Sequence, residues 1–379
     1  MDTAEWEAAG LFLPDDPGAD ERLAVLEYLT ERGATLEQMV EAHQAGNLPG
    51  VAGDLVVGKE RSTLSVDEMA TRSAVSAARL GRVLLAAGLP VAADSRLPRD
   101  LVEVMAAFEQ GASLMGDDAI FAFTRVLGAA AINIAEAAVA LFYAELGPGS
   151  AREGATELAR AQVSERATVA FTAVPEVLSR VLLAQFDRAV HRTQLARGWS
   201  APAEGSAGSE AAGPSELAAL GFVDLVGSTH WAEGLNLRDH SLALSRFESA
   251  AWASAVLAGG RVVKMIGDEV FFAAPSVDAA GQIALDVCRT VAADPLLPPA
   301  RGAVGYGLVT PREGDYFGPL VNLVSRLVKA AAPGTVVVTA EVAAALPADT
   351  WVLRDLGPQV LRGLDHPVTA FAADRGRGD

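Results

Sequence analysis

The sequence contains little cysteine and little positive charge, and these two shortages exclude several classes of protein. Cys288 is the single cysteine among 379 residues, which excludes an internal disulfide framework and a multi-cysteine zinc site. There are 30 Lys and Arg residues against 48 Asp and Glu residues, giving a net charge of −18. Because binding to nucleic acid or to an anionic membrane surface depends on Lys and Arg, neither is expected.

A signal segment and a strongly apolar run are also missing. The chain begins Met-Asp-Thr-Ala-Glu, without the basic and apolar pattern of a signal peptide. The best candidate for a membrane span, Val126–Tyr143, contains Glu136 and many alanines, so we interpret it as a buried helix. These two observations predict a soluble, cytoplasmic protein without a membrane span, and the hydrophobic fraction of 51% excludes wholesale disorder.

A run of small and polar residues, Ser200–Ser215, separates two parts of different character. It is rich in Ala, Gly, Ser, Pro and Glu and has no large apolar side chain, which predicts a flexible linker. Residues 1–199 are predicted to form one domain and residues 216–379 a second.

The first part shows helical periodicity almost throughout. Three pairs have the capping-box spacing that marks a helix start: Thr35 with Gln38, Ser65 with Glu68, and Ser150 with Glu153. Phe121–Leu146 is apolar on nearly all sides, which predicts a helix in the middle of a bundle. A long amphipathic helix follows Pro175 and ends at Gly198, so it is predicted to connect the two parts.

The second part alternates strand and helix patterns. Over residues 220–309 the order is strand, helix, strand, strand, helix, strand, which is the ferredoxin-like βαββαβ plan. Gly267 and Asp268 form a hairpin-turn signal between the second and third strands. An all-helical part followed by this plan predicts an α+β fold.

Two aspartates lie where strand ends are expected to meet. Asp224 interrupts an apolar strand, and burying a carboxylate there is costly unless it is paired or binds a metal. Asp268 lies at the hairpin tip, beside the end of that strand in this topology. Two converging carboxylates suit Mg²⁺ that also binds substrate phosphates. A solvent-facing strand residue and a plain turn are the simpler interpretations of each aspartate alone.

A third segment, Gly314–Leu327, carries an amide and a guanidinium with helical spacing. Asn322 and Arg326 are four residues apart, so in a helix both point at the same object. An amide suits a ribose, and the planar fork of arginine suits phosphate oxygens. A helix cap and a surface arginine are the simpler interpretations of the two residues in isolation.

Together, the segments FVDLVGST, KMIGDEVFF and GDYFGPLVNLVSRL resemble the signature motifs of class III nucleotidyl cyclases, over about residues 215–379. The first part is similar to the helical regulatory domain of pH-responsive actinobacterial adenylyl cyclases, in its arrangement, in the stretch Gly154–Leu158 and in the connecting helix. The resemblance implies an adenylyl cyclase that converts ATP to 3′,5′-cyclic AMP and pyrophosphate. Val324 departs from the motif, where a small alanine is usual.

The resemblance also implies roles for six core residues. Asp224 and Asp268 match the aspartates that hold two Mg²⁺ or Mn²⁺ ions per site. Lys264 and Asp315 match the pair that reads the purine, and their donor and acceptor favour adenine over guanine. The residues implied at the ribose and the phosphates are Asn322 and Arg326 from the motif, with Arg362, Gly227, Ser228 and Thr229 as further phosphate-binding candidates.

Class III cyclases take the metal aspartates from one chain and the other core residues from a second. The resemblance therefore implies a head-to-tail homodimer with two shared sites. The first part is expected to restrain this dimer, and His191 on the connecting helix is a candidate pH switch, because histidine changes charge between pH 5 and 8. An exposed, solvated histidine is the simpler interpretation. The helix at 121–146 is a candidate wall for a fatty-acid or lipid cavity, or an ordinary core helix.

Three alternatives stay open: a guanylyl cyclase, a non-catalytic nucleotide sensor and a DNA-binding regulator. The last rests on Ser65–Leu89, where two short helices with Arg72, Arg79 and Arg82 resemble a helix-turn-helix. Ala74 stands where the turn glycine is usual, and the surroundings are acidic, so DNA binding is disfavoured. Lys264 and Asp315 disfavour the guanylyl cyclase, and intact metal aspartates disfavour the sensor.

Overall fold

The computed structural model describes residues 2–58, 63–92, 94–145, 156–197 and 215–376. It divides the chain into two compact units, Met1–Arg188 and Ala189–Asp379. Residues 200–214 of the predicted linker and the predicted cap pair Ser150 and Glu153 lie outside the described residues. The domain boundaries at 199 and 216 therefore stay predictions.

The described residues of the first unit form helices, as predicted, together with one short two-stranded sheet that the all-helical prediction missed. Its helices are α1 (Thr3–Ala8), α2 (Ala19–Glu31), α3 (Leu36–Gln44), a 3₁₀ turn (Leu48–Gly50), α4 (Val51–Gly58), α5 (Val66–Arg72), α6 (Ala77–Ala86), α7 (Leu101–Met115), α8 (Asp117–Glu145), α9 (Glu157–Phe171) and α10 (Val174–Arg197), whose last residues belong to the second unit. The strands β1 (Thr63–Ser65) and β2 (Arg96–Pro98) pair antiparallel.

Two separate apolar cores hold the first unit together. One lies among α1, α2, α3, α4 and α9, and Leu26 and Leu29 are fully buried in it. The other lies among α5, α6, α7 and the start of α8. The capping boxes predicted at Thr35 and Ser65 are confirmed. Each hydroxyl accepts the backbone N–H of the residue three positions later, and the side chain of that residue accepts the backbone N–H of the cap.

The apolar helix α8 does not lie in the middle of a bundle, so that prediction is wrong. Phe123, Ile132 and Leu141 are 53%, 47% and 56% exposed. The helix packs near its start, and Gly128 lies so close to the backbone of Ala87 that a Cβ would come within 2.6 Å. An apolar pattern on all sides indicates that a helix avoids water, but it does not indicate what covers the helix.

By length and apolar composition, two stretches are able to cross a membrane: Asp117–Phe142 and Glu157–Arg192. In each, 6% of the most apolar window is buried by the protein itself. Among the described residues, both stretches therefore keep much of their apolar surface uncovered.

The second unit is one twisted sheet covered by helices. Its strands are β3 (Glu216–Leu225), β4 (Arg261–Ile266), β5 (Glu269–Ala274), β6 (Ala300–Arg312), β7 (Asp315–Phe317), β8 (Val336–Thr339), β9 (Trp351–Gln359) and β10 (Val368–Arg375). Its helices are α11 (Ser228–Glu233), α12 (Leu237–Leu257), α13 (Val277–Ala293), α14 (Pro319–Ala330) and α15 (Ala340–Ala345). The strand order is β4-β5-β3-β6-β8-β10-β9, with β7 paired to β6. Up to β6 this is the predicted βαββαβ plan, and the α+β fold is confirmed.

Apolar side chains on both faces of the sheet explain its layers. Helices α12 and α13 pack on one face, with Phe247 and Ile283 buried there. Helix α14 covers the other face through Val324 and Leu327. Val324, which departs from the motif, packs against Gly305. A Cβ at position 305 would lie 2.4 Å from Cγ2 of Val324, so the glycine leaves the space that the valine occupies. The packing fixes α14 against β3 and β6.

The helix pair predicted at Ser65–Leu89 is present as α5 and α6, and two of its three arginines contact other side chains of the unit. Arg79 pairs with Glu109 at 2.5 Å and with Asp117 at 2.8 Å. Arg82 lies over an aromatic ring of α8. Because two carboxylates already hold Arg79, while Arg72 and Arg82 are exposed, the DNA-binding alternative loses one of its three phosphate contacts.

Candidate active site

Asp224 lies at the end of β3 and is 2% exposed, in a strand segment that is otherwise apolar. In the sheet register it lies between Glu269 of β5 and Arg301 of β6. A buried carboxylate requires a compensating charge, and the neighbouring strand β6 supplies one.

Two cations engage the two oxygens of Asp224. Arg301 donates from Nε and Nη2 to Oδ2, at 2.9 and 2.8 Å. Lys329 of α14 donates from Nζ to Oδ1 at 2.5 Å. Arg301 also donates to the backbone carbonyl of Lys329 at 2.7 Å, which ties the end of α14 to β6. Neither cation was predicted from the sequence. Arg301 could have been found, because it is a charged residue in the apolar strand β6, and the same signal identified Asp224 in β3.

Glu269 is the second buried carboxylate of this cluster. It accepts a hydrogen bond from Lys329 Nζ at 2.5 Å and is 8% exposed. Burial raises the pKa of Glu269, and the hydrogen bond from Lys329 opposes this. Burial lowers the pKa of Lys329, but its hydrogen bonds to Asp224 and Glu269 outweigh that effect and leave the pKa raised. The ammonium therefore stays charged.

Asp268 lies at the tip of the β4–β5 hairpin, beside the end of β3, as predicted. The backbone N–H of Leu225 donates to the Asp268 carbonyl at 3.1 Å, and the Asp268 carboxylate accepts from the Ser228 hydroxyl. Gly227 has a φ of 69°, which glycine adopts without strain, and the chain turns there so that α11 begins at Ser228. Thr229 follows and is exposed. One cluster of polar groups thus joins β3, the hairpin and α11.

Lys264 of β4 and Asp315 of β7 form the pair predicted for base recognition. Lys264 Nζ lies 2.5 Å from Asp315 Oδ2, and Asp315 Oδ1 accepts the backbone N–H of Tyr316 at 2.7 Å. The Lys264 ammonium also lies 5.8 Å from the ring centroid of Phe271. The Lys264 side chain is 46% exposed, so the pair is accessible to a ligand.

Asn322 and Arg326 lie one turn apart on α14, as predicted, and Asn322 is exposed. Arg326 donates from Nη1 to the carbonyl of Gly363 at 2.8 Å. Gly363 directly follows the exposed Arg362, so the Arg326 guanidinium is held by the loop that carries Arg362. The structure therefore brings these two arginines into one neighbourhood.

The acidic groups at the end of β3 fit a hard divalent cation by their donor chemistry. Mg²⁺ prefers oxygen ligands, and in nucleotide sites it takes one or two carboxylates, with water and phosphates supplying the rest. Asp224 and Asp268 provide two carboxylates. Across the residues that the structure describes, no cluster of three or more His, Cys, Asp or Glu side chains forms a metal cage.

The chain is similar to a bacterial adenylate cyclase along most of its length and to others over part of it, and no family model matches it. An uncharacterized protein of Mycobacterium tuberculosis is 32% identical over 373 residues, which cover 98% of this chain and 94% of that protein. An adenylate cyclase of Glutamicibacter nicotianae is 38% identical over 180 residues, 45% of each chain. A pH-sensitive adenylate cyclase of M. tuberculosis is 28% identical over 368 residues, covering 94% of this chain and 88% of that protein.

Among solved structures, the adenylyl cyclase CyaB from P. aeruginosa is similar with a TM-score of 0.39 and 22% identity, over 44% of this chain and 98% of that chain. The sequence relatives extend across both units, and the motif residues occupy the strand ends and the helix described above. The chain belongs to the class III nucleotidyl cyclase family, and it is a nucleotidyl cyclase.

Proposed function

We propose that the protein is an adenylyl cyclase that converts ATP to 3′,5′-cyclic AMP and pyrophosphate. In this reaction the ribose 3′-hydroxyl loses its proton to solvent, a bond forms between O3′ and the α-phosphorus, and the bond from that phosphorus to the bridging oxygen of pyrophosphate breaks. The observation that carries the proposal is the accessible pair of Lys264 and Asp315, 2.5 Å apart in a nucleotidyl cyclase domain.

A lysine beside a carboxylate matches the hydrogen-bonding edge of adenine. Lys264 is able to donate to a ring nitrogen, and Asp315 is able to accept from the exocyclic amine. Guanine carries a carbonyl oxygen there, which would meet Asp315 acceptor against acceptor. The pair therefore supports ATP over GTP, and it separates the proposal from the guanylyl cyclase alternative.

Asp315→Asn should lower the preference for ATP over GTP at least about tenfold, because the asparagine amide is able to donate to the guanine oxygen. The measurement is kcat/KM for both nucleotides with the full chain and Mn²⁺. Asp349→Asn removes an exposed acidic residue just before β9 and should leave the ratio unchanged. An unchanged ratio in Asp315→Asn would remove Asp315 from base recognition.

The remaining core residues serve the ribose and the phosphates in this proposal. Asp224 and Asp268 would hold two Mg²⁺ or Mn²⁺ ions, which when bound lower the pKa of the ribose hydroxyl and neutralise charge at the α-phosphate. Asn322 orients the ribose, and Arg326 donates to the phosphoryl oxygens as charge develops there. Further phosphate contacts would come from Arg362 and from Gly227, Ser228 and Thr229 at the start of α11.

A head-to-tail homodimer is part of the proposal, because this family divides the core residues between two chains. Exposed apolar residues near Asp315 support it. Leu217 and Leu308 face each other across β3 and β6 and are 58% and 63% exposed, and Phe317 of β7 is 50% exposed. Such a patch suits burial against a second copy, which would give two sites per dimer.

The proposed activity is tested by incubating the full chain and Mn²⁺ with ATP or with GTP and identifying the product by mass spectrometry. The proposal expects cyclic AMP in excess of cyclic GMP. Cyclic GMP as the main product would favour the guanylyl cyclase. Tight ATP binding without either product would favour the nucleotide sensor.

We also propose that the first unit restrains the catalytic dimer and that pH releases it. The similarity to a pH-sensitive adenylate cyclase across both units supports regulation by pH. His191 lies exposed on α10, where protons reach it freely. The activity of the full chain should therefore change more steeply between about pH 5.5 and 8 than that of the fragment 216–379. The fragment is a suitable comparison because its two apolar cores consist of its own residues. His191→Ala should flatten the profile, and His366→Ala, at another exposed histidine, should not. An unchanged profile in His191→Ala would exclude His191.

A fatty acid or related lipid is a proposed partner of the first unit. An open cleft of about 870 Å³ lies between α6 and α8. Leu85, Phe121 and Ile132 supply apolar lining, and Arg82 and Arg125 line the same cleft. An acyl chain suits the apolar lining and a carboxylate the arginines. Mass spectrometry of an organic extract of the purified chain tests this, and an extract without lipid would speak against it.

A cytoplasmic location is proposed for the whole chain, because the substrate is an intracellular nucleotide. Arg125 and Glu136 lie inside the apolar stretch of α8, where a lipid environment penalises charge. Glu165 of α9 pairs with Arg32 of α2 at 2.6 Å, so α9 packs on protein. Recovery of the chain in carbonate-washed membranes would contradict this location.

A further inference from the structure

The chain has three lysines, and two of them contact carboxylates of the candidate site. Lys264 belongs to the base-reading pair. Lys329 belongs to none of the signature positions, yet its Nζ lies 2.5 Å from Asp224 Oδ1 and 2.5 Å from Glu269 Oε2. Asp224 and Glu269 face each other in the β3–β5 register, so without a cation between them the two buried carboxylates would repel.

Arg301 and Lys329 differ in how firmly they are held against Asp224. The Arg301 side chain is 19% exposed, makes two bonds to Oδ2 and is anchored to a backbone carbonyl of α14. The Lys329 side chain is 50% exposed and ends a flexible four-carbon stem. Lys329 is therefore the cation that is able to leave Asp224 while Arg301 stays.

We propose that Lys329 is a positioning residue that holds Oδ1 of Asp224 until a divalent cation takes that oxygen, and that it thereby sets the affinity of the site for the metal. The inference rests on the proposed function, in which Asp224 is a metal ligand. An ammonium and a divalent cation repel strongly at one buried oxygen, because little water screens them. On leaving Asp224, Lys329 keeps Glu269 as its counter-charge. The exchange therefore leaves no buried charge unpaired.

The test measures Mn²⁺ binding to the full chain without nucleotide, at one pH, from the electron paramagnetic resonance signal of the free ion. Lys329→Gln should bind Mn²⁺ at least about tenfold more tightly, because a competitor and a repelling charge are both removed. Lys329→Arg keeps the charge and should stay within about twofold of the unchanged chain. Arg246→Gln, which removes a cation from an exposed pair with Asp294, is the matched control and should not alter the affinity.

The proposal would be overturned if Lys329→Gln bound Mn²⁺ as tightly as the unchanged chain or more weakly. It would also be overturned if neither Lys329→Gln nor the unchanged chain bound Mn²⁺ measurably. The double variant Lys329→Gln with Asp224→Asn should lose the added affinity for Mn²⁺. If the double variant kept that affinity, the ion would be bound elsewhere and the proposal would be overturned. If Lys329→Gln does not fold, Lys329→Met, which keeps the side-chain length without the charge, carries the same expectation. Cyclic AMP formation is measured on the same samples. A chain that binds Mn²⁺ at Asp224 without forming cyclic AMP would defeat the proposed function and leave the role of Lys329 standing.

Discussion

Asp268→Asn should form cyclic AMP about 10³-fold more slowly than the unchanged chain, because it removes a charged oxygen ligand from the place where the reaction develops charge. Its free energy of unfolding should fall by less than about 1 kcal/mol, since the asparagine amide oxygen is able to accept the same hydrogen bond from Ser228. Kinetics with ATP and Mn²⁺, and denaturant unfolding of the same sample, measure the two quantities. Activity near that of the unchanged chain would remove Asp268 from the catalytic machinery.

Asp224→Asn is the matched variant at the neighbouring carboxylate, and it should lose stability as well as activity. Asp224 is buried and neutralises Arg301 and Lys329, so a neutral amide leaves two cations without their main counter-charge. Breaking a buried ion pair costs about 3–5 kcal/mol, and we expect about 3 kcal/mol because Lys329 is half exposed and keeps Glu269. Equal stability of the two aspartate variants would contradict the charge cluster that the structure shows.

Mixing two inactive variants should restore activity if the sites are shared between chains. Asp268→Ala damages the metal half of a site, and Arg326→Ala damages the other half. In a heterodimer one site receives both lesions and the other receives neither. Random exchange of chains should therefore restore about a quarter of the activity of the unchanged dimer.

The control for this experiment combines two lesions on the same side of the site. Lys264→Ala and Arg326→Ala both damage the residues that one chain lends to its partner, so every site in their heterodimer carries a lesion. That mixture should stay inactive. Restoration there as well as in the first mixture, or in neither, would contradict the head-to-tail arrangement.

The catalytic half could be predicted closely because its signals are local. Gly267 and Asp268 mark the hairpin, alternating apolar strands and amphipathic helices follow in order, and Asn322 and Arg326 lie on one helix, α14, as their spacing predicts. The pairing of Lys264 with Asp315 followed from the family resemblance, since the two residues are 51 positions apart and no periodicity connects them. The structure confirms that they meet.

The errors have a physical cause in burial, which a local pattern does not specify. Helix α8 is apolar on nearly all sides, and that pattern fits a core helix and a helix covered by something outside the chain equally well. Lys329 was missed because a lysine near a helix end usually faces water. Its contact with Asp224 depends on how α14 packs on β3, 105 residues away in the chain.

The bond from Arg301 to the backbone carbonyl of Lys329 has a consequence for cooperativity. It joins Asp224, the proposed metal ligand of one site, to the helix that carries Asn322 and Arg326. In the proposed dimer that helix serves the other site, so any shift of Asp224 on loading one site would be passed to the residues that complete the second. The two sites are then thermodynamically linked, and each changes the affinity of the other by the same factor. Nucleotide binding that fits two independent sites would show that this link carries no free energy.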